Sequence, residues 1–246
     1  AQFVSCILSV AWFFLRPQPI RLSLRGFRPD GGMIRRIYAI GIPSSVMMAL
    51  PSVLVGLLNA ILTPLSEAAV AMFGVYFKLQ TFVYMPANGL VQGMRPLVSY
   101  NYGAGLHARM HRTVRLSLLT AGGIMAAGTL LFLLVPDALL RLFDADAEML
   151  AIGIPALRII SLGFVVSSVG VVLAGAFEAL GRGGSSLAVS LLRQLLLIPP
   201  LALLLSRFWG LTGIWITFPA AELFAAAAAV LLYRRLFRQL SAKISS

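Results

Sequence analysis

Apolar residues fall in long runs separated by short segments rich in proline, glycine and arginine. Six runs are long enough as helices to cross a bilayer: residues 37–62, 68–94, 113–135, 149–180, 186–205 and 211–233. About 20 helical residues match a hydrocarbon core of ~30 Å. Residues 1–15 form a shorter run reaching only ~22 Å, which reads as the closing part of a span begun upstream. The chain starts in mid-run without Met, and is read as the C-terminal piece of a longer protein. Residues 16–36 are a basic linker broken by Pro17, Pro19, Pro29 and Gly31-Gly32. Thr63-Pro64-Leu65-Ser66-Glu67, Gly181-Arg182-Gly183-Gly184-Ser185 and Arg207-Phe208-Trp209-Gly210 read as tight turns. Residues 137–148 carry Leu139, Leu140, Leu142 and Phe143 at helical spacing, then acids, which suits a short interfacial helix. The pattern predicts an all-α polytopic membrane protein: a six-transmembrane-helix bundle, the end of a preceding helix, and a basic tail over residues 234–246.

Composition strengthens that reading. Hydrophobic residues make up 59% and charged ones 11% of the chain, with mean hydropathy +0.92. Soluble domains carry about 25% charged residues, and a 26.4 kDa fold cannot hide this much apolar surface. The net charge of +12 does not point to nucleic acid, because the basic residues sit in loops between apolar runs. One set of alternate segments carries Arg16, Arg21, Arg25, Arg28, Arg35, Arg36, Arg95, Arg109, Arg112, Arg182, Arg234, Arg235, Arg238 and Lys243. The other set carries only Arg141 and Arg207. The positive-inside rule puts the first set, and the C-terminus, in the cytoplasm. The single cysteine, Cys6, allows no disulfide framework or cysteine metal cluster, and reads as a small buried hydrophobe.

Polar groups inside the runs are the candidate chemistry, since ionisable residues at membrane depth face a protein interior or a watery cavity. Lys78 is eleven residues into its run, a depth that favours a cavity-facing charge or buried pair over snorkelling to the interface. Asn59, Gln80 and Gln92 are candidates to line a polar cavity, with interhelical hydrogen bonding as the alternative. Met47, Met48, Phe77, Phe82, Tyr84 and Met85 suit a promiscuous surface, because Met adapts and aromatic faces attract cations, although core or lipid packing explains most such residues. Glu178 stands one turn before Arg182, so an interfacial i,i+4 pair is its first reading and coupling to an ion its second. Glu222 lies halfway along its run among apolar neighbours, where the charged carboxylate is penalised; proton exchange and a structural hydrogen bond are equal readings. Arg158 and Arg193, near span ends, read as packing or interfacial groups. Arg95, Pro96, Tyr100, Asn101, Gly103 and Arg109 form a polar loop that is either a structural turn or a gate. His107 and His111, at i,i+4 without a third ligand, read as a solvated loop pair and not as a zinc site. No set of residues suggests a catalytic centre, a metal or an organic cofactor.

Three stretches together carry a resemblance. They are Gly41-Ile42-Pro43-Ser44 after the linker; Met85-Pro86-Ala87-Asn88-Gly89-Leu90-Val91-Gln92-Gly93 with Pro96-Leu97-Val98-Ser99-Tyr100-Asn101-Tyr102-Gly103-Ala104 and Arg109; and Phe177-Glu178-Ala179-Leu180-Gly181-Arg182 with Ser190-Leu191-Leu192-Arg193-Gln194 and Ile198-Pro199. The sequence resembles the C-terminal lobe of the multidrug and toxic compound extrusion (MATE) family, from linker to tail. The resemblance implies twelve spans in two six-helix lobes, with residues 1–15 ending the sixth span and a first lobe as partner. It implies a multi-pass protein of the bacterial inner membrane that exports small amphiphilic or cationic compounds, driven by Na⁺ or H⁺. Where some members carry carboxylates in this lobe, this chain has Leu50-Pro51 and Ser167-Ser168, which resembles branches with the coupling carboxylate in the first lobe. A lipid-linked oligosaccharide or polysaccharide flippase of the same superfamily is the alternative transporter. A non-transporting membrane scaffold is the alternative of another class.

Overall fold

The computed structural model describes residues 2–15 and 30–242, with side chains described at all of these except 36, 40 and 238–242. Most of the expected linker, residues 16–29, and the end of the tail therefore lie outside the described residues. The chain divides into two units, Ala1–Ala39 and Ile40–Ser246. In the first unit, α1 (Gln2–Leu15) has no buried residues, and Cys6, expected inside, is exposed. Asp30 then accepts the Gly32 N–H at 2.8 Å where α2 (Gly31–Leu62) begins.

The second unit is built entirely of helices among the described residues. Ser66, in the stretch read as a tight turn, caps α3 (Glu67–Gly103) by accepting the Ala69 N–H. α3 continues through Pro86 and Pro96. The stretch read as a loop from Arg95 is thus helical to Gly103, and the turn is confined to residues 104–106, with Gly105 at φ +72. Packing explains the difference. Val91, Met94 and Val98 continue the buried face at helical spacing, Ser99 donates to the Ala179 carbonyl, and Asn101 donates back to Leu97.

After α4 (His107–Leu134) come α5 (Pro136–Arg141) and α6 (Ala147–Ser161), the latter capped by Asp146 on the Met149 N–H. The span expected over residues 149–180 is broken. α6 and α7 (Phe164–Ala179) meet at 52° across Leu162 and Gly163. Gly163 sits where a Cβ would come within 3.1 Å of Pro219 Cα, so the break lets this segment approach the last helix closely. α8 (Gly183–Leu191) runs through a π-helical turn (Leu192–Leu197) into α9 (Ile198–Ala242). α9 is two passes joined at Gly210, whose φ 55 and ψ −135 suit only glycine. A Cβ on Gly213 would overlap the Leu205 carbonyl, so the chain doubles back within this turn.

Two apolar clusters form the core. One gathers Phe73, Tyr76, Trp215, Phe218 and Phe164; the other gathers Val98, Met110, Val172, Phe177 and Ala229. Between them, α3, α7, α9 and the π-helical turn carry polar residues. Asn88 falls between Ala87 and Val91 on α3, Ser167 and Ser168 between Phe164 and Val172 on α7, and Glu222 after Ala221 on α9. Arg193 and Gln194 occupy the same level between Val189 and Ile198. In lipid such helices associate through close packing and interhelical hydrogen bonds, and this polar layer supplies the latter.

Candidate functional site: a polar cleft at the middle of the lobe

One face of α3 lays out the cleft wall. Phe77, Gln80, Tyr84, Asn88 and Arg95 recur at three- to seven-residue steps and so project the same way. Two adjoining cavities of about 290 and 230 Å³ follow this face, and both are lined by Pro51, Asn88, Arg193, Gln194 and Glu222.

At their junction Arg193 Nη1 donates to Glu222 Oε1 at 3.0 Å, with the side chains 25% and 13% exposed. The π-helical turn places Arg193 there; such a turn inserts one residue and re-aims its side chains, and is frequent at functional sites. At the far end Arg95 Nη2 lies 2.6 Å from Glu178 Oε2. The Ser186 hydroxyl lies 3.3 Å from Glu178 Oε1 and 3.2 Å from Met47 Sδ. Arg95 Nη1 also reaches Gln92 at 3.4 Å, while its buried Nε has no hydrogen-bond partner. Gly175 permits the crossing, because a Cβ there would overlap Val91 and stand 3.7 Å from Arg95 Nε. Deeper in, the Tyr84 and Ser167 hydroxyls share a 2.7 Å hydrogen bond.

The cleft therefore holds two cation–carboxylate pairs and adds no net charge. Its upper cavity is walled by Phe77, Tyr84, Met85 and Phe218, and a flat amphiphile carrying a delocalised cation suits such a wall.

The structure gathers Phe77, Gln80 and Tyr84 on one cavity and Met47 and Glu178 on the other, with Glu222 on both. Other candidates stand elsewhere. Met48 is 82% exposed, and Phe82 lines a different groove. Asn59 is half-buried with its Oδ1 unpartnered, and Gln92 is exposed beside Arg95. Lys78 is exposed over the Phe143 ring at 5.8 Å, neither in the cleft nor in a buried ion pair. Glu178 pairs with Arg95 and not with Arg182, because α7 ends at Ala179 and Gly181 adopts φ +70, which turns Arg182 away from the helix. Arg193, read as interfacial, is central to the cleft, whereas Arg158 is exposed. Within the polar stretch, Arg95 enters the cleft, Tyr100 is 74% exposed and Arg109 is exposed. The histidines are not solvated as a pair: His111 meets the Tyr233 hydroxyl at 3.0 Å and packs on Phe237, and the buried Nδ1 of His107 has no partner. No group of metal-ligating residues exists among the described residues. Asn88, Arg193 and Gln194 escaped selection as site residues, although the four-residue step from Tyr84 to Asn88 was a usable signal.

Long apolar helices, a broken span and a polar cleft between two apolar clusters define a helical bundle of a polytopic membrane protein. The chain belongs to the MatE family, whose model matches residues 43–204. It is similar to the multidrug export protein MepA of Staphylococcus saprophyticus, at 26% identity over 94% of this chain and 51% of that protein. MepA of Staphylococcus haemolyticus is 25% identical, again over 94% and 51%. Among solved structures, the fold matches an outward-facing multidrug resistance MATE family transporter with TM-score 0.90 and 23% identity, covering 98% of this chain and 55% of that one. The MATE multidrug transporter DinF-BH gives TM-score 0.83 and 31% identity, covering 95% and 53%. The chain spans about half the length of the curated relatives it matches.

Proposed function

We propose that this chain is the second lobe of an inner-membrane exporter of amphiphilic organic cations, powered by inward flow of Na⁺ or H⁺. The observation that carries this reading is the cleft: aromatic and Met walls around the Arg193–Glu222 pair, at the level where the two apolar clusters part. MepA, similar in sequence, and DinF-BH, similar in fold, are named as a multidrug export protein and a multidrug transporter, which supports an export role. An exporter must also change shape. The 52° break, the π-helical turn, and Pro51 and Pro219 beside the cleft provide places for helices to bend. The carboxylates facing this cleft, Glu178 and Glu222, are both held by arginines. An entering cation that engages either one would compete with its arginine and loosen the helices they join, so coupling falls to these pairs or to the partner lobe. The basic segments put the C-terminal end in the cytoplasm.

A flippase for pyrophosphate-linked lipids would need uncommitted cations, and both cleft arginines already carry a carboxylate. Export and a scaffold role are separated by ethidium efflux from cells making the full-length protein. Efflux is expected to exceed that of control cells, to stop when one of the two ion gradients is collapsed, and to change substrate profile in Gln80→Ala. Efflux equal to that of control cells would refute the export reading.

A further inference from the structure

Outside the cleft, α3, α4 and α5 enclose an apolar groove of about 350 Å³ at the surface of the lobe. Leu79, Phe82, Val83, Phe132, Leu139 and Phe143 wall it, and Leu142 at its rim is 77% exposed. Lys78 stands one helical turn before Phe82, with Nζ 5.8 Å from the centroid of Phe143. A lysine this far along an apolar helix calls for a reason, and the packing of α5 supplies one. Leu140 of α5 and Met72 of α3 converge on Gly153, where a Cβ would lie 2.7 and 3.2 Å from them. Phe143, two residues after α5, stands beside Lys78, so the polar corner that follows α5 lies next to this lysine.

The charge of Lys78 is unmatched. Arg141, the other cation of this corner, is taken by Asp137 at 2.9 Å, and Asp146 accepts the Met149 N–H at 2.8 Å. Among the described residues no carboxylate pairs with Lys78. Asp144, Asp146 and Glu148 of this corner are exposed and make no ion pair with Lys78, which leaves its ammonium as the cationic contact at the rim of the apolar trough.

We propose that this groove is a binding site for an anionic membrane phospholipid, with an acyl chain along Phe82, Leu139 and Phe143 and the headgroup phosphate at Lys78. Neutral lipid fits the trough but gains nothing from the lysine, so the site discriminates by charge. This assignment stands apart from the export reading, since none of the groove residues lines the cleft.

The test uses the full-length protein in nanodiscs with phosphatidylglycerol bearing a diazirine at the end of its acyl chain, and the matching phosphatidylcholine as comparison. Adducts are expected within residues 79–83 and 139–143 with the phosphatidylglycerol probe. Lys78→Gln is expected to lower their yield about fivefold, the worth of one lysine near an anionic surface, and Lys78→Arg to preserve it. Leu142→Trp, at an exposed rim position that does not challenge folding, is expected to block the trough and reduce the yield as well. Equal yield from both lipids, or a yield unchanged in Lys78→Gln, would overturn the proposal. So would a photocrosslinker at position 142 that captured another segment of the chain or a second copy instead of lipid.

Discussion

Glu222→Ala is expected to lower the stability of the full-length protein by about 3 kcal/mol and to bring efflux down to background. Removing one partner of a buried ion pair strands the other charge, at a cost of ~3–5 kcal/mol, and the partial exposure of Arg193 puts this case at the low end. Arg193 rises from the π-helical turn and Glu222 from α9, so the pair ties two elements at the centre of the cleft. The double variant Glu222→Leu with Arg193→Met is expected to recover most of the lost stability, because an apolar pair of similar volume removes the desolvation cost. It is not expected to recover efflux, since the charges are what the cleft offers to ions. Thermal unfolding of purified variants, set beside efflux from cells, separates the two effects. If Glu222→Ala is as stable as the parent, the pair does not hold these elements together.

Gly213→Ala is expected to be at least as damaging to the fold, by ~3 kcal/mol or more. Overpacking commonly costs ~1–3 kcal/mol when side chains can yield, but the obstacle here is the Leu205 carbonyl, which is backbone. The glycine lies three residues after Gly210, whose left-handed φ makes the reversal between the two passes of α9. Loss of this turn would misplace Trp215, Phe218 and Glu222 together. Gly184→Ala, in α8 with open space around its Cβ position, is the comparison, and alanine there is expected to be neutral or mildly favourable. Membrane expression and the thermal midpoint of the two variants decide the matter. Equal behaviour would mean that the close approach of Gly213 to Leu205 is relieved at little cost.

Much of the helical layout was legible because lipid permits little else: apolar runs of bilayer length must satisfy their own backbone groups. The turn around Ser66 and the reversal near Gly210 were likewise readable from turn chemistry, and the short helix expected within residues 137–148 is present up to Arg141. What was not legible is the rotation of each helix about its axis. Nearly uniform apolarity leaves no contrast between faces, so nothing in the sequence pairs Arg95 with Glu178, or Arg193 with Glu222 across 29 positions. The nearer partner of Glu178, Arg182, was attractive only if the helix continued, and Gly181 ends it. Lys78 lies outside the cleft for a different reason: its position along the run does not say which face of the helix carries it, and that face meets Phe143. Pro96, Asn101 and Gly103 looked like loop residues, yet buried Val98 and the Ser99 bond to Ala179 hold them in a helix. The break at Gly163 had no signature beyond one small residue, because the need for it comes from Pro219 on a distant pass.

That substrates occupy the cleft between the two apolar clusters is tested most directly at Asn88, which lines both cavities. In the full-length protein without other cysteines, Asn88→Cys would be labelled with a small maleimide in membranes, with and without ethidium, beside Arg109→Cys as an exposed reference. Ethidium is expected to slow labelling at position 88 and leave position 109 unaffected. Equal labelling rates at position 88 with and without ethidium, in membranes that export it, would contradict the assignment of this cleft as the substrate site.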